Sequence, residues 1–83
     1  MKKVEQLIAF IAINEKEEGI CAFMDYHSET FLPMVLAYPS EEVFSKMVEA
    51  AKDISKTTGQ VIEARRFTDM QTIMRILPDE TEQ

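Results

Sequence analysis

The chain of 83 residues is poor in the residue types that build most recognisable sites. Its one cysteine, Cys21, rules out an internal disulfide and so a small secreted scaffold held together by disulfides. Its two glycines, Gly19 and Gly59, lie forty residues apart, which excludes the Gly-rich phosphate loops of Walker and dinucleotide sites. Its one histidine, His27, is the only residue that could serve as the histidine of a catalytic triad.

Basic charge and long apolar runs are also scarce. Nine basic residues stand against 15 acidic ones, for a net charge of −6, and tryptophan is absent. Sequence-independent nucleic-acid binding depends on a basic excess, so no nucleic-acid partner is expected. No apolar run reaches the ~20 residues of a membrane span, and Glu5 and Gln6 interrupt the faint resemblance of the start to a signal peptide. The sequence predicts a cytoplasmic protein of a bacterial cell or phage-infected host, without a membrane partner.

The most informative segment is the apolar run Leu-Ile-Ala-Phe-Ile-Ala-Ile at residues 7–13. It favours a strand over residues 4–13 with both faces buried, although a helix remains an alternative because Leu7, Ile8 and Ile11 also fit a helical stripe. One helix can cover one face of a small sheet, and something else must cover the other. We therefore expect a homo-oligomer.

Further elements follow from turn residues and periodicity. Polar connections predict three more strands, at residues 20–26, 31–38 and 60–67, and Pro33 places the third at an edge or makes it irregular. A long helix is expected between the N-cap Ser40 and the left-handed Gly59. The Thr68–Gln71 capping box predicts a short helix over residues 69–77.

These elements give an α+β fold of order β-β-β-α-β-α. We predict one domain over residues 1–78, with a small mixed sheet, one long helix across one face and a short C-terminal helix. The third strand, helix and fourth strand should form a right-handed crossover, and the fourth strand should lie beside the first. Residues 79–83 are expected to be an acidic, disordered tail.

Candidate catalytic chemistry centres on Asp25, His27 and Glu29, which alternate along the chain. Carboxylate and imidazole groups can hold a divalent metal, but three such residues in a loop are typical of a solvated hairpin tip. Ser28 next to His27 lacks the glycine-bearing nucleophile elbow. We therefore predict no catalytic residue, no metal, no cofactor and no enzymatic activity.

A candidate ligand site lies near the end of the fourth strand. Arg65, Arg66 and Thr68 stand at a predicted helix start, where arginine side chains and free amides favour an anion. Tyr26 and Phe31 are candidates for stacking on a ligand ring. The alternatives are surface arginines paired with Glu63 or with acids of a neighbouring chain, and aromatic residues that close the end of the core.

The segments 18–23, 32–35, 50–59 and 66–68 together resemble small uncharacterised proteins encoded by bacteriophages and their hosts. The resemblance spans about residues 8–75 and implies an accessory protein that binds rather than catalyses. Some proteins of that class block host defences by capping an enzyme or by sequestering a nucleotide signal between subunits.

The functional hypothesis is a small, oligomeric, non-enzymatic binding protein. It would act as a phage-type accessory factor that sequesters an anionic or nucleotide ligand or blocks a host protein. The alternative is a structural module that acts only through protein–protein contacts.

Overall fold

The computed structural model describes residues 3–78 and contains six strands and one helix over that range. Two sheets are formed, one of four strands and one of two strands. In chain order the elements are β1 Leu7–Ile13, β2 Glu18–Ile20, β3 Ala22–Asp25, β4 Thr30–Pro33, β5 Val35–Leu36, α1 Glu41–Thr58 and β6 Val61–Phe67. The prediction of a small α+β fold is confirmed.

Strand β1 is the centre of the larger sheet. Strand β6 pairs along its whole length on one edge, whereas β2 and β5 share the other edge. The prediction that the last strand lies beside an internal first strand is confirmed. The predicted mixed sheet is wrong, because every strand pair among residues 3–78 is antiparallel. Strands β5 and β6 run parallel to each other, but β1 lies between them.

The predicted second and third strands are each interrupted once, at Cys21 and Met34. There the chain forms a three-way junction with Phe10, whose N–H donates to the Met34 carbonyl (3.1 Å) and whose carbonyl accepts from Cys21 N–H (2.8 Å). The Met34 N–H donates to the Cys21 carbonyl at 2.8 Å. Residues 22–33 therefore leave the main sheet as a separate two-stranded hairpin, here called the β-arm.

Helix α1 packs on one face of the main sheet. The Ser40 side chain accepts from Val43 N–H, and Gly59 ends the helix with a φ of 75°, as predicted. Phe44 brings its ring centroid to 5.8 Å from that of Phe10. The buried cluster under the helix consists of Ile8, Phe10, Cys21, Met34 and Ala51.

Beyond β6, the chain has no regular secondary structure at residues 68–77. The predicted short helix over residues 69–77 is therefore not found in the described part of the chain, and the predicted tail at 79–83 lies outside it. The capping residues are present, but Ile73 is 92% exposed and Met74 72% exposed, so no apolar surface holds a helix in place. Helices this short are marginal without tertiary packing.

None of the helices in residues 3–78 is both long and apolar enough to cross a lipid bilayer.

Met34 is the most buried large side chain, with no exposed surface. We expect Met34→Ala to lower the free energy of unfolding by about 2–4 kcal/mol, because it leaves a cavity beside the junction. Met34→Leu, which conserves volume, should cost less than about 1.5 kcal/mol. Urea unfolding at one fixed protein concentration measures both, and equal losses for the two variants would contradict the assignment of Met34 to the centre of the core.

Candidate functional site

The β-arm presents large apolar side chains to solvent. The cross-strand pairs Phe23–Leu32 and Met24–Phe31 lie on opposite faces of its two strands. Tyr26 at its tip is 86% exposed and Phe31 is 68% exposed. These two aromatic residues therefore do not close the end of the core, which was the alternative to a role in ligand stacking. Exposed aromatic residues of this kind are typical of contact surfaces.

The tip of the β-arm is held by hydrogen bonds from the Asp25 carboxylate. Asp25 accepts from the backbone N–H of His27 at 3.1 Å and from the Ser28 hydroxyl at 2.9 Å. Glu29 closes the turn with a φ of 56°. No group of three or more potential metal ligands occurs within residues 3–78. Asp25 therefore acts as a turn residue, in keeping with the solvated-tip interpretation of this stretch.

A cleft of about 310 Å³ lies between the β-arm and helix α1. Its lining is almost entirely apolar and consists of Phe23, Val43, Met47, Ala50 and the Lys46 side chain. Phe23 and Val43 remain well exposed on its two sides. The cleft can take one apolar side chain, and the ammonium group of Lys46 lies 3.6 Å from the Glu42 carboxylate. The sequence does not reveal this cleft, because Phe23 and Val43 lie in different elements that only the tertiary structure brings together.

The sheet face opposite α1 has a charged network at its centre. Arg65 forms two hydrogen bonds of 2.9 Å with the Glu18 carboxylate and one of 2.8 Å with Glu63. Arg65 is paired with Ala9, and Glu18 with Ile13, so the guanidinium reaches across β1 above Ile11. This explains why Ile11 is buried within a single chain.

The network changes the proton affinity of both partners. Hydrogen bonding to Arg65 and its positive charge lower the pKa of Glu18 below its ordinary value of 4.5. Hydrogen bonds to Glu18 and Glu63 raise the pKa of Arg65. The predicted alternative, that an arginine of this strand pairs with Glu63, is confirmed, and Arg65 has two carboxylate partners in place of an external anion.

Arg66 lies on the other face of the sheet, because side chains alternate along a strand. It is exposed and lines a cleft of about 410 Å³ beside the start of helix α1, together with Ser40, Glu41 and Phe44. Tyr38 also lines this cleft; its hydroxyl accepts from Glu5 N–H at 2.8 Å and donates to the Lys3 carbonyl. The Glu41 carboxylate competes with any anion there.

The five predicted ligand residues are therefore not brought together within one chain. Arg65 and Arg66 occupy opposite sheet faces, Thr68 follows the end of β6, and Tyr26 and Phe31 lie at the outer end of the β-arm. Cys21 is buried in the junction, and burial raises the pKa of its thiol. Cys21 therefore packs as a small core residue.

The charged network predicts a defined pH response. Because the folded pKa of Glu18 is lowered, the pair stabilises the fold above pH 4.5, and this contribution disappears as the pH falls through the lowered pKa. We expect Arg65→Gln to return the Glu18 pKa to its ordinary range. The free energy of unfolding should then depend less on pH in the acidic range.

NMR titration of the Glu18 carboxyl and unfolding experiments across acidic pH would measure both effects. Lys52→Gln, which breaks the exposed Lys52–Glu49 pair, is the matched control and should leave the Glu18 pKa unchanged. A Glu18 pKa insensitive to the loss of Arg65 would contradict the network.

Comparison with known proteins gives no relative for this arrangement: no family model, no curated protein and no solved structure matches the chain.

Proposed function

We propose that this protein is a non-enzymatic binding protein that assembles with itself and acts by occupying the surface of a partner protein. The observation that carries the proposal is the β-arm, which holds Phe23, Tyr26, Phe31 and Leu32 exposed beside an apolar cleft. Aromatic anchors on a short hairpin supply contact area at low cost in conformational entropy. The class of phage-type accessory factors that block host proteins, which the sequence resembles, works in this way.

The total surface supports an assembling protein. The chain exposes 7360 Å², whereas a compact monomer of 9.6 kDa exposes roughly 5,100 Å². The radius of gyration is 15.7 Å against about 12 Å for a compact domain of this length. The excess surface, about 2,300 Å², is nearly three times the ~800 Å² that each partner buries in a standard interface. It therefore leaves room for both a second copy and a partner.

The segment at residues 68–77 belongs to the same proposal. Met70, Ile73, Met74 and Leu77 have the spacing of one helical stripe, and all four are exposed. In our proposal the short helix over residues 69–77 forms when this stripe docks on an apolar surface, since docking offsets the entropy of ordering it. A purely structural module would use the same contacts, so the two functions differ only in whether a foreign partner is bound.

The β-arm can be tested directly by removing its aromatic anchors. We expect the Tyr26→Ser/Phe31→Ser variant to lose a stoichiometric protein partner that the wild-type chain captures from cells in which the gene is expressed. The Glu15→Ser/Lys16→Ser variant, altered in the exposed loop after β1, is the matched control and should retain the partner.

Quantitative mass spectrometry of the captured proteins, with circular dichroism to verify folding, measures this difference. Capture of the same partner by both variants would contradict a binding role for the β-arm. Capture of the protein itself alone would favour the structural module.

Binding of a small anionic or nucleotide ligand is the second candidate, and the Arg66 cleft beside helix α1 favours it. In this version pyrophosphate or ATP raises the melting temperature, because a ligand at 100 times its Kd adds about 2.7 kcal/mol to stability. Arg66→Gln should abolish the shift, and Arg75→Gln is the matched control. A wild-type chain that shows no shift, or an equal shift in the Arg66→Gln variant, would exclude this site.

A further inference from the structure

The outer edge of strand β6 has no strand partner within residues 3–78. The strand runs for seven residues, Val61–Phe67, and pairs only with β1. It contains no proline, and nothing in the described part of the chain covers its outer edge with backbone hydrogen bonds. Natural proteins protect long edges of this kind or use them for pairing.

The junction at Phe10 determines which groups of β6 point outward. Both the N–H and the carbonyl of Phe10 bond to the other edge of β1, at Met34 and Cys21. Phe10 therefore cannot bond to its β6 partner, Ala64, and the two form a non-hydrogen-bonded pair. The N–H and carbonyl of Ala64 consequently point away from the sheet, and by alternation so do those of Ile62 and Arg66.

We propose that this edge pairs with β6 of a second copy, antiparallel and across a two-fold axis at Ala64. The inference rests on the self-assembly in the proposed function and specifies its interface. In this register the outward groups of Ile62, Ala64 and Arg66 all find partners, which gives six backbone hydrogen bonds between the two chains. The result is one continuous sheet with β1 internal in both halves.

The side chains of β6 are complementary to themselves in this register. Glu63 of each copy lies opposite Arg65 of the other copy. Two cross-strand ion pairs therefore flank the two-fold axis. Centring the pair on Glu63 or Arg65 instead would set two like charges opposite each other. Only the Ala64 register combines opposite charges with pairing of all seven residues.

The apolar residues of β6 fit the same register. Val61 and Phe67, exposed on the face of the charged network, lie opposite each other across the two chains. On the helix face, a cleft of about 250 Å³ between α1 and the edge is lined by Phe10, Val48, Ala51 and Ile62. Arg66 of the second copy lies opposite Ile62, where its aliphatic stem covers the open side of this cleft.

Ala64→Pro tests the hydrogen-bonded edge. Because the Ala64 N–H points away from β1, proline removes no hydrogen bond within the chain and is tolerated at such an edge. We expect a folded variant whose dimer dissociation constant is raised at least about 100-fold. Ala64→Ser keeps the N–H and is the matched control. Sedimentation velocity from micromolar to millimolar concentration measures assembly, and circular dichroism verifies folding.

Charge complementation tests the register without proline. Glu63→Lys and Arg65→Glu each set like charges opposite each other in a homodimer, whereas a mixture of the two variants restores both ion pairs. We expect each variant alone to dimerise at least about 10-fold more weakly than the wild type, and the mixture to form heterodimers. Both variants lose the hydrogen bond between Glu63 and Arg65 within the chain. The loss of that bond therefore cannot explain stronger dimerisation when the two variants are mixed.

The outcomes separate this inference from the proposed function. If the wild-type chain is monomeric at all concentrations, both the β6 pairing and the self-assembly of the proposed function are wrong. If it assembles, but neither Ala64→Pro nor charge reversal weakens assembly, only the β6 pairing is overturned. If Ala64→Pro does not fold, the mixture of the two charge variants decides whether β6 pairs. Formation of heterodimers supports the β6 pairing, and their absence overturns it.

Discussion

The rest of the structure depends on the backbone hydrogen bonds of one residue, Phe10. Its N–H and carbonyl both bond to the edge shared by β2 and β5. At this point the strands are interrupted at Cys21 and Met34, and the β-arm leaves the sheet. The same bonds direct the polar groups of Ala64 outward on the opposite side. The side chain of Phe10, only 2% exposed, meanwhile packs under helix α1. One residue in the middle of β1 thus sets the core, the β-arm and the free edge.

The charged network on the open face explains how a small chain tolerates an apolar central strand. Arg65 reaches over Ile11 to Glu18, so its stem covers apolar surface while its guanidinium stays bonded to carboxylates. Exposed ion pairs add little to stability by themselves. Their larger effect here is positional, since Arg65 and Glu63 are held on one face of β6 in alternating sign. In the proposed β6 dimer, that alternation would favour the register centred on Ala64 over the registers centred on Glu63 or Arg65.

The surfaces proposed for binding lie on different sides of the chain and do not compete. The β6 edge faces away from β2 and β5, whereas the β-arm extends from the junction beyond those strands. A dimer through β6 would therefore carry two β-arms at its outer ends. Such a dimer would offer two β-arms to one partner, and bivalent attachment strengthens weak individual contacts.

The sequence by itself determined the central strand, the last strand and the bounds of the long helix. The apolar run made β1 internal because both of its faces favour burial. Ser40 and Gly59 bounded helix α1, and alternation separated Arg65 from Arg66, because these features follow from local backbone geometry and hydrogen bonding. Only the tertiary structure decided the antiparallel pairing of every strand, the breaks at Cys21 and Met34, and the long-range bond between Arg65 and Glu18. It also decided that residues 68–77 lack a helix. These depend on which strands share an edge and on what surface is present to pack against, and both are properties of distant parts of the chain meeting in space.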